Sequence, residues 1–416
     1  MMGSFFEKFV NQIQIENYIK NIKNRKIVIW GAGEDGKVLH KILLNKKQSV
    51  YAFVDKKACK SDFEFNGIKV EAPEFLMKNK GEFYVFVAAN FYEEIELFLN
   101  NNGYFEIHDY LYILHKPIEI EKNEEYIDKY GNIIKGSKGT KIKFIAYNSV
   151  LNIGVDCVLE EKNSIYCVNS NISIGAGSNL GRNTKITSIN SSISIGSNCK
   201  LGINGSIDCT NNSDIKIGDD CFFGERYIMC LNNGIINIGT ECYFEEKCHI
   251  DCNDNSNIHI GNQCNFGEKY LACCVNDSIL NIGKGSTFGE SFFLFSYYGG
   301  VVKIGNDCMV SLYVTVGNND GHPVFDINTG VQFNKNNDII IGNHVWLGNK
   351  CTIISGSDIG DGSIIGANSL VNKKFPNNCT IAGNPANLKR KDIAWDRSET
   401  NIDLINKKLY WNKTIK

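Results

Sequence analysis

The chain has 416 residues and a nearly balanced charge of −2 at pH 7, so it carries no basic surplus for a nucleic-acid partner. No apolar run approaches the roughly 18 residues of a membrane span, and the polar first 25 residues predict no signal peptide. The 16 cysteines therefore predict a cytoplasmic protein with reduced thiols rather than a disulfide framework.

The N-terminal region alternates strand and helix patterns. In RKIVIWGAGEDGKVLHKILL a β-branched run, a glycine-rich turn and an amphipathic stretch follow in order. Gly31, Gly33 and Gly36 form G-x-G-x-x-G, and Asp55 ends the next strand pattern 19 residues after Gly36. This spacing is typical of a dinucleotide-binding fingerprint, so the four residues are a candidate nucleotide site. The pattern ends near residue 115, after roughly one nucleotide-binding half, and a structural or interaction role is the alternative.

From residue 150 onward, the chain repeats a short motif in which alternating apolar and polar residues are followed by glycine. The ten repeat glycines are Gly154, Gly175, Gly196, Gly218, Gly239, Gly261, Gly283, Gly305, Gly342 and Gly360. Their intervals are 21, 21, 22, 21, 22, 22, 22, 37 and 18 residues. Such a period predicts a solenoid, and the alternating pattern predicts β-strands. A second glycine often follows after six residues, which is the hexapeptide unit of a β-helix. The coils of 21–22 residues should carry their extra residues at one corner, in Asn-rich runs such as 211–213.

Small residues recur in step with this repeat. One column contains Cys157, Ser178, Cys199, Cys221, Cys242, Cys264, Ser286 and Cys308. A second column contains Cys167, Ser188, Cys209, Cys230, Cys252 and Cys274. Metal ligands do not recur as long ladders, so these columns predict buried structural thiols and no metal site is expected. His259 and His344 are predicted to face solvent.

The repeat is interrupted once, between Gly305 and Gly342, where the interval is 37 residues. The inserted segment contains NNDGHPVFD, with Asp320, His322 and Asp326. A solenoid can extrude a loop at a corner without losing its stack, and imidazole suits general-base work near neutral pH. His322 is therefore the candidate base, and Asp320 or Asp326 is a candidate to orient its ring.

The segments DGHPVFD and IIIGNHVWLGNKCTIISGSDIGDGSIIGANSLVNKKFPNNCTIAGNPANLKR resemble the left-handed β-helix acetyltransferases. The nearest branch holds the maltose, galactoside and capsular-polysaccharide O-acetyltransferases. The resemblance covers residues 300–395 closely and the coils from residue 150 loosely. It implies a homotrimer in which a loop histidine, here His322, is the general base and acetyl-CoA lies along the coils between two subunits.

The same resemblance places cofactor contacts on Trp346, Gly348, Ala367, Lys373 and Arg390. The family's V-T-K-D reads VNKK here, so Asn372 stands where the family has threonine. The N-terminal half resembles the short Rossmann-like domains attached to capsule and surface-glycan enzymes. N-acetyltransferases of nucleotide-linked amino sugars also pair such a domain with a β-helix, but their catalytic histidine lies in a different motif.

The sequence thus predicts a mixed fold. A Rossmann-like α/β domain covers residues 1–115, and a connector covers 116–150. A left-handed parallel β-helix of about ten coils covers 151–388, with a catalytic loop at 317–337, and a C-terminal tail covers 389–416. The predicted function is acetyl-CoA-dependent O-acetylation of a bacterial capsular or surface polysaccharide, without a covalent intermediate. Two alternatives remain: N-acetylation of a nucleotide-activated amino sugar, and a non-catalytic scaffold.

Overall fold

The structure is a computed structural model that describes residues 24–397, except 60–62, 79–80, 90, 114–117, 121–122 and 139, together with 19, 22 and 410–415. The chain divides into two compact units, Met1–Ile118 with Lys143–Tyr147 and Glu119–Ile142 with Asn148–Lys416. Within the predicted connector over 116–150, Ile133–Lys135 pairs in parallel with Val150–Asn152 of the second unit.

The described residues of the first unit form one six-stranded sheet, three α-helices and one 3-10 helix. In chain order these are β1 (Lys26–Trp30), α1 (Glu34–Asn45), β2 (Val50–Val54), a 3-10 helix (Lys56–Cys59), β3 (Phe63–Phe65), β4 (Ile68–Glu71), α2 (Phe75–Lys78), β5 (Phe83–Val87), α3 (Tyr92–Asn101) and β6 (Tyr110–Tyr112). The strand order is β3-β4-β2-β1-β5-β6, and only β3 is antiparallel to its neighbour. β5 is buried along its whole length, as is typical of a parallel sheet covered on both faces. This confirms the predicted α/β domain.

The second unit is a long parallel β-solenoid, as predicted. Each coil has up to three strands, which lie on three faces named A, B and C in the order in which the chain visits them. Face A contains Val150–Ile153, Asn171–Ile174, Ser192–Ile195, Asp214–Ile217, Ile279–Ile282, Val301–Ile304, Ile339–Ile341, Asp358–Ile359 and Lys374–Phe375, with Ile133–Lys135 before them. Face B contains Val158–Leu159, Asn179–Leu180, Lys200–Leu201, Phe222–Phe223, Tyr243–Phe244, Asn265–Phe266, Thr287–Phe288, Met309–Val310, Trp346–Leu347, Ile364–Ile365 and Thr380–Gly383, with the antiparallel strand Ala386–Arg390 at its end.

Face C contains Ser164–Val168, Lys185–Ile189, Ser206–Thr210, Leu271–Val275, Phe293–Tyr297, Thr315–Gly317, Thr352–Ile354 and Leu370–Val371. Two longer strands, Ile228–Ile238 and His249–Ile260, run through the corner from face C to face A. The remaining strands are Ile118–Glu119, Tyr126–Ile127 and Lys141–Tyr147. Among the helices that the structure describes, none is long and apolar enough to cross a membrane.

The solenoid core consists of stacked identical positions. On face B the rings of Phe223, Phe244, Phe266 and Phe288 lie parallel, with successive centroids 4.7, 4.5 and 4.6 Å apart. This spacing matches the distance of about 4.8 Å between neighbouring strands, so each ring packs on the ring of the next coil. Burying one such side chain stabilises the fold by about 1.5–3 kcal/mol.

The repeat glycines stack at the corner between faces A and B. A Cβ on Gly305 would lie 2.5 Å from the carbonyl of Gly342 in the next coil, so no larger residue fits without moving the backbone. The sequence missed one coil because Pro376 takes the glycine's place there, next to Phe375, which pairs with Ile359. Face B accordingly has eleven parallel strands within the described residues, one more than the ten repeat glycines.

The cysteine columns are buried as predicted except at two positions, the half-buried Cys157 at the start of the first column and Cys230. Burial raises the pKa of Cys167 and Cys209 to about 12, which leaves them inert as nucleophiles. Cys230 does not belong to the second column, because Leu231 pairs with Cys209 and with Cys252. One extra residue in the preceding coil shifts the register by one position, and strand alternation then turns Cys230 outward.

Candidate functional site

The interruption of the repeat forms a loop at the corner between faces C and A. It leaves strand Thr315–Gly317 on face C and returns to strand Ile339–Ile341 on face A. At its root Asn318 is fully buried. The Asn318 Oδ1 accepts a hydrogen bond from the Tyr297 N–H at 2.9 Å, and its Nδ2 donates to the Tyr297 carbonyl at 3.3 Å. The loop thus starts from a fixed point on the preceding coil.

His322 lies exposed on the outgoing branch of this loop. It stands between Gly321, whose φ of +84° favours glycine, and Pro323, which has no N–H. Within the described part of the chain, no side chain or backbone group hydrogen bonds to its ring nitrogens. The imidazole is therefore open to a substrate hydroxyl, which is what a general base requires.

Neither predicted orienting carboxylate contacts the His322 ring. The Asp326 Oδ1 accepts hydrogen bonds from the Asn328 N–H at 2.9 Å and from the Thr329 N–H at 2.8 Å. These bonds, led by Thr329, lower the pKa of Asp326, which closes the turn at the loop's tip. Asp320 accepts a hydrogen bond from Asn334 at 3.1 Å. Both carboxylates brace the loop, so in the single chain the prediction of a direct orienter is not met.

The tip of the loop presents apolar side chains to solvent. The exposed residues are Val324, Phe325, Ile327, Val331 and Phe333. Ile327 is 95% exposed, more than any other large apolar residue described. Several exposed apolar side chains on one loop are typical of a contact site.

The predicted cofactor residues Trp346, Gly348 and Ala367 lie on or directly after face B. Trp346 is half-buried, and its Nε1 donates to the Ser311 Oγ at 3.2 Å. A Cβ on Gly348 would lie 2.8 Å from the Ala367 amide nitrogen, so the close stacking of these two coils requires glycine at position 348.

The two predicted cations lie near the end of the solenoid. The Lys373 Nζ donates to the Asn387 Oδ1 at 2.9 Å and lies 5.5 Å from the Phe375 ring centroid. Arg390 is exposed and pairs with Thr380 on the last strand of face B. Among the described residues, no group of His, Cys, Asp or Glu is arranged to hold a metal ion.

The predicted site falls into two groups within one chain. His322 belongs to the corner between faces C and A, and Lys373 lies at the same corner two coils later. Trp346, Gly348 and Ala367 belong to face B and its border with face C. Since face B does not border the corner of His322, one chain does not bring the candidate base and Trp346 together.

The prediction that His344 faces solvent is wrong. Its ring lies between the rings of Trp395 and Tyr410, and its Nδ1 is 2.7 Å from Asp307 Oδ2. The sequence could not show this, because Trp395 and Tyr410 belong to the C-terminal tail and follow no repeat.

The Gly31 turn of the first unit is tight. A Cβ on Gly36 would lie 2.0 Å from the Gly31 carbonyl oxygen and one on Gly31 would lie 2.6 Å from the Ala88 carbonyl oxygen, so packing accounts for these two glycines but not for Gly33, around which there is open space. The Asp55 carboxylate accepts a hydrogen bond from the Ala32 N–H at 3.0 Å, and α1 begins with Glu34 and Asp35. These carboxylates already complement the positive end of the helix. The nucleotide site at Gly31, Gly33, Gly36 and Asp55 stays a prediction.

Comparison with known proteins agrees with this architecture. Residues 338–373 match the bacterial transferase hexapeptide family, described as six repeats. Residues 23–108 match the C2185-like N-terminal family. The predicted resemblance to hexapeptide-repeat acetyltransferases is thereby confirmed.

Two similar proteins are both named polysialic acid O-acetyltransferase. The chain is 40% identical over 118 residues to the polysialic acid O-acetyltransferase of Escherichia coli O1:K1, covering 28% of this chain and 38% of that protein. It is 37% identical over 81 residues to the polysialic acid O-acetyltransferase of Neisseria meningitidis, covering 20% and 37%. The matches thus span less than half the length of these relatives. The crystal structure of the polysialic acid O-acetyltransferase OatWY aligns with a TM-score of 0.37 and 26% identity, over 59% of this chain and 97% of that one.

Proposed function

We propose that the protein is an acetyl-CoA-dependent O-acetyltransferase that acts in the cytoplasm on a hydroxyl of a bacterial capsular or surface polysaccharide. The observation that carries the proposal is the exposed His322, held on the one loop that interrupts a hexapeptide-repeat solenoid. The sequence similarity to two polysialic acid O-acetyltransferases supports an acidic polysaccharide as acceptor. Polysialic acid is therefore the first acceptor to test.

The chemistry needs one base and no covalent intermediate. The His322 imidazole accepts the proton of a sugar hydroxyl while the hydroxyl oxygen attacks the thioester carbonyl of acetyl-CoA. A backbone amide stabilises the oxyanion of the tetrahedral intermediate. The intermediate then expels the CoA sulfur, which takes the proton back from the imidazolium. A base in this role contributes about 10²- to 10⁴-fold to the rate.

The complete site is formed between copies of the chain in a homotrimer. Two observations support this step: His322 and Trp346 lie on parts of the coil that do not border each other, and the loop tip exposes five large apolar side chains. Docking of the tip on a neighbouring copy removes that surface from water. It also carries His322 to the face B side of the neighbour, where acetyl-CoA lies along Trp346, Gly348 and Ala367.

The test is acetyl transfer from radiolabelled acetyl-CoA to purified polysialic acid by wild type, His322→Ala and His259→Ala. His259 is an exposed histidine on face A and serves as a matched control. We expect an alkali-labile acetyl ester with wild type and His259→Ala, and a loss of about 10²-fold or more with His322→Ala. Equal rates for all three proteins contradict the mechanism.

The second candidate is N-acetylation of a nucleotide-activated amino sugar, favoured by the Gly31 turn of the first unit. It predicts an alkali-stable amide on such a sugar in the same assay. An amide product, with no ester on the polysaccharide, replaces the first proposal by the second.

A further inference from the structure

The return branch of the loop has a regular alternation of exposure. Val331, Phe333 and Lys335 are exposed, whereas Gln332, Asn334 and Asn336 are half-buried. A period of two is typical of an extended chain, so the three amide side chains lie on one side of the return branch. Two of them bond to the outgoing branch: Asn336 accepts from the Asn319 Nδ2 at 3.1 Å, and Asn334 bonds around His322.

Backbone hydrogen bonds between the two branches stop short of His322. The last one runs from the Phe333 N–H to the Val324 carbonyl at 3.1 Å. Beyond it Pro323 has no N–H, and Gly321 with its positive φ turns the chain out of an extended strand. The ladder therefore cannot continue through His322, and the backbone there needs another support.

The side chain of Asn334 supplies that support. Its Nδ2 donates to the His322 carbonyl at 2.8 Å and to the Asp320 Oδ2 at 3.1 Å. Its Oδ1 accepts a hydrogen bond from the Val324 N–H at 2.6 Å. One amide group thus bonds to His322 itself and to the residues two positions before and two positions after it.

We propose that Asn334 is the positioning residue of the candidate base: it fixes the backbone of His322 and thereby the direction in which the imidazole projects. This inference rests on the function proposed above. It also assigns Asp320 an indirect part, because Asp320 holds Asn334 and does not touch His322. The arrangement needs a donor on one atom and an acceptor on the other, which the side-chain amide of Asn334 provides.

Asn334→Asp is the most specific test, because an aspartate keeps the shape of the asparagine side chain and replaces its donor NH₂ group by an acceptor oxygen. The new carboxylate faces the His322 carbonyl and the Asp320 carboxylate, so both contacts become repulsive. Asn152→Asp is the matched control, since it adds the same charge at an exposed position of face A, away from the loop and its tip. We expect Asn334→Asp to lower kcat by about 10- to 100-fold with an unchanged KM for acetyl-CoA. Asn152→Asp should keep the wild-type kcat.

The double variant Asp320→Asn, Asn334→Asp separates positioning from loop stability. Exchanging the two groups restores a donor–acceptor pair between positions 320 and 334 but leaves the His322 carbonyl without a donor. We expect its melting temperature to return to that of wild type while kcat stays low. Full recovery of kcat, or a wild-type kcat for Asn334→Asp, overturns the inference.

Failure of this inference differs visibly from failure of the proposed function. If only the inference fails, His322→Ala is inactive on polysialic acid while Asn334→Asp matches wild type. If the proposed function fails, His322→Ala and wild type give the same rate, whatever Asn334→Asp does.

Discussion

His344 and Trp395 lie face to face and are joined by two hydrogen bonds. Their ring centroids are 4.0 Å apart and the planes differ by 9°. The Trp395 Nε1 donates to the His344 carbonyl at 2.9 Å, and the His344 Nε2 lies 3.1 Å from the Trp395 carbonyl oxygen. Tyr410 covers the other side of the imidazole at 4.9 Å. The C-terminal tail is thereby fastened to the corner between faces A and B.

Trp395 should be the main anchor of this tail, because its side chain is buried and contacts both His344 and Trp346. We expect Trp395→Ala to weaken the attachment by about 3 kcal/mol, the usual cost of removing a buried aromatic side chain. Hydrogen exchange of residues 391–397 measures this locally. Trp411→Ala is the control, since Trp411 is 38% exposed and should leave the exchange unchanged. Equal exchange in the two variants contradicts the anchoring role.

The attachment should also depend on the ionisation of Asp307. Burial acts to raise the pKa of Asp307, but the hydrogen bond from His344 and the charge of Arg397 lower it below its ordinary value. A group with a lowered folded-state pKa stabilises above its ordinary pKa of about 4 and loses this contribution as the pH falls through the folded-state value. We therefore expect the protection of the amides in residues 391–397, measured relative to the intrinsic exchange rate at the same pH, to fall as the pH is lowered below about 4.

Asp307→Asn tests the origin of that acid dependence. Each ring nitrogen of His344 faces an oxygen that only accepts, Asp307 Oδ2 at 2.7 Å and the Trp395 carbonyl at 3.1 Å. An asparagine side chain at position 307 carries no charge, so it loses the ion pair of Asp307 Oδ1 with the Arg397 Nε at 2.9 Å. In the Asn variant, the amides of residues 391–397 should be less protected from exchange at neutral pH than in wild type, and they should lose no further protection in acid. If Asp307→Asn loses protection in acid as wild type does, a group other than Asp307 causes the acid dependence.

The regular part of the fold followed from the sequence because each coil needs the same residues at the same positions. The repeat glycines mark the corner between faces A and B, and the alternating apolar residues mark the side of each strand that points into the core. The prediction of the repeat failed at two places where one residue departs from the regular spacing. Pro376 stands in place of a repeat glycine, and one extra residue turns Cys230 outward. His344 and Asn334 were missed for another reason. Their contacts join segments with no periodic relation, which only the folded backbone brings together.

Thiol reactivity should report the register on face C. Cys230 is half-buried on the outer side of its strand, whereas Cys209 and Cys252 are buried in the columns. Burial also raises the pKa of Cys209 and Cys252 to about 12, which lowers their thiolate fraction. We expect iodoacetamide to alkylate Cys230 in the native protein well before the other two, as read by peptide mass spectrometry. Similar rates for the three thiols contradict the register described here.

Subunit complementation should decide whether His322 and Trp346 act across a boundary between copies. His322→Ala and Trp346→Ala should each be nearly inactive when purified alone. If every site takes His322 from one copy and Trp346 from the next, random mixed trimers of the two variants contain intact sites at about a quarter of the boundaries. Unfolding and refolding the variants together should therefore restore about a quarter of the wild-type rate on polysialic acid. Refolding each variant alone is the control. If the mixture stays as inactive as its components, both residues serve the same site within one chain.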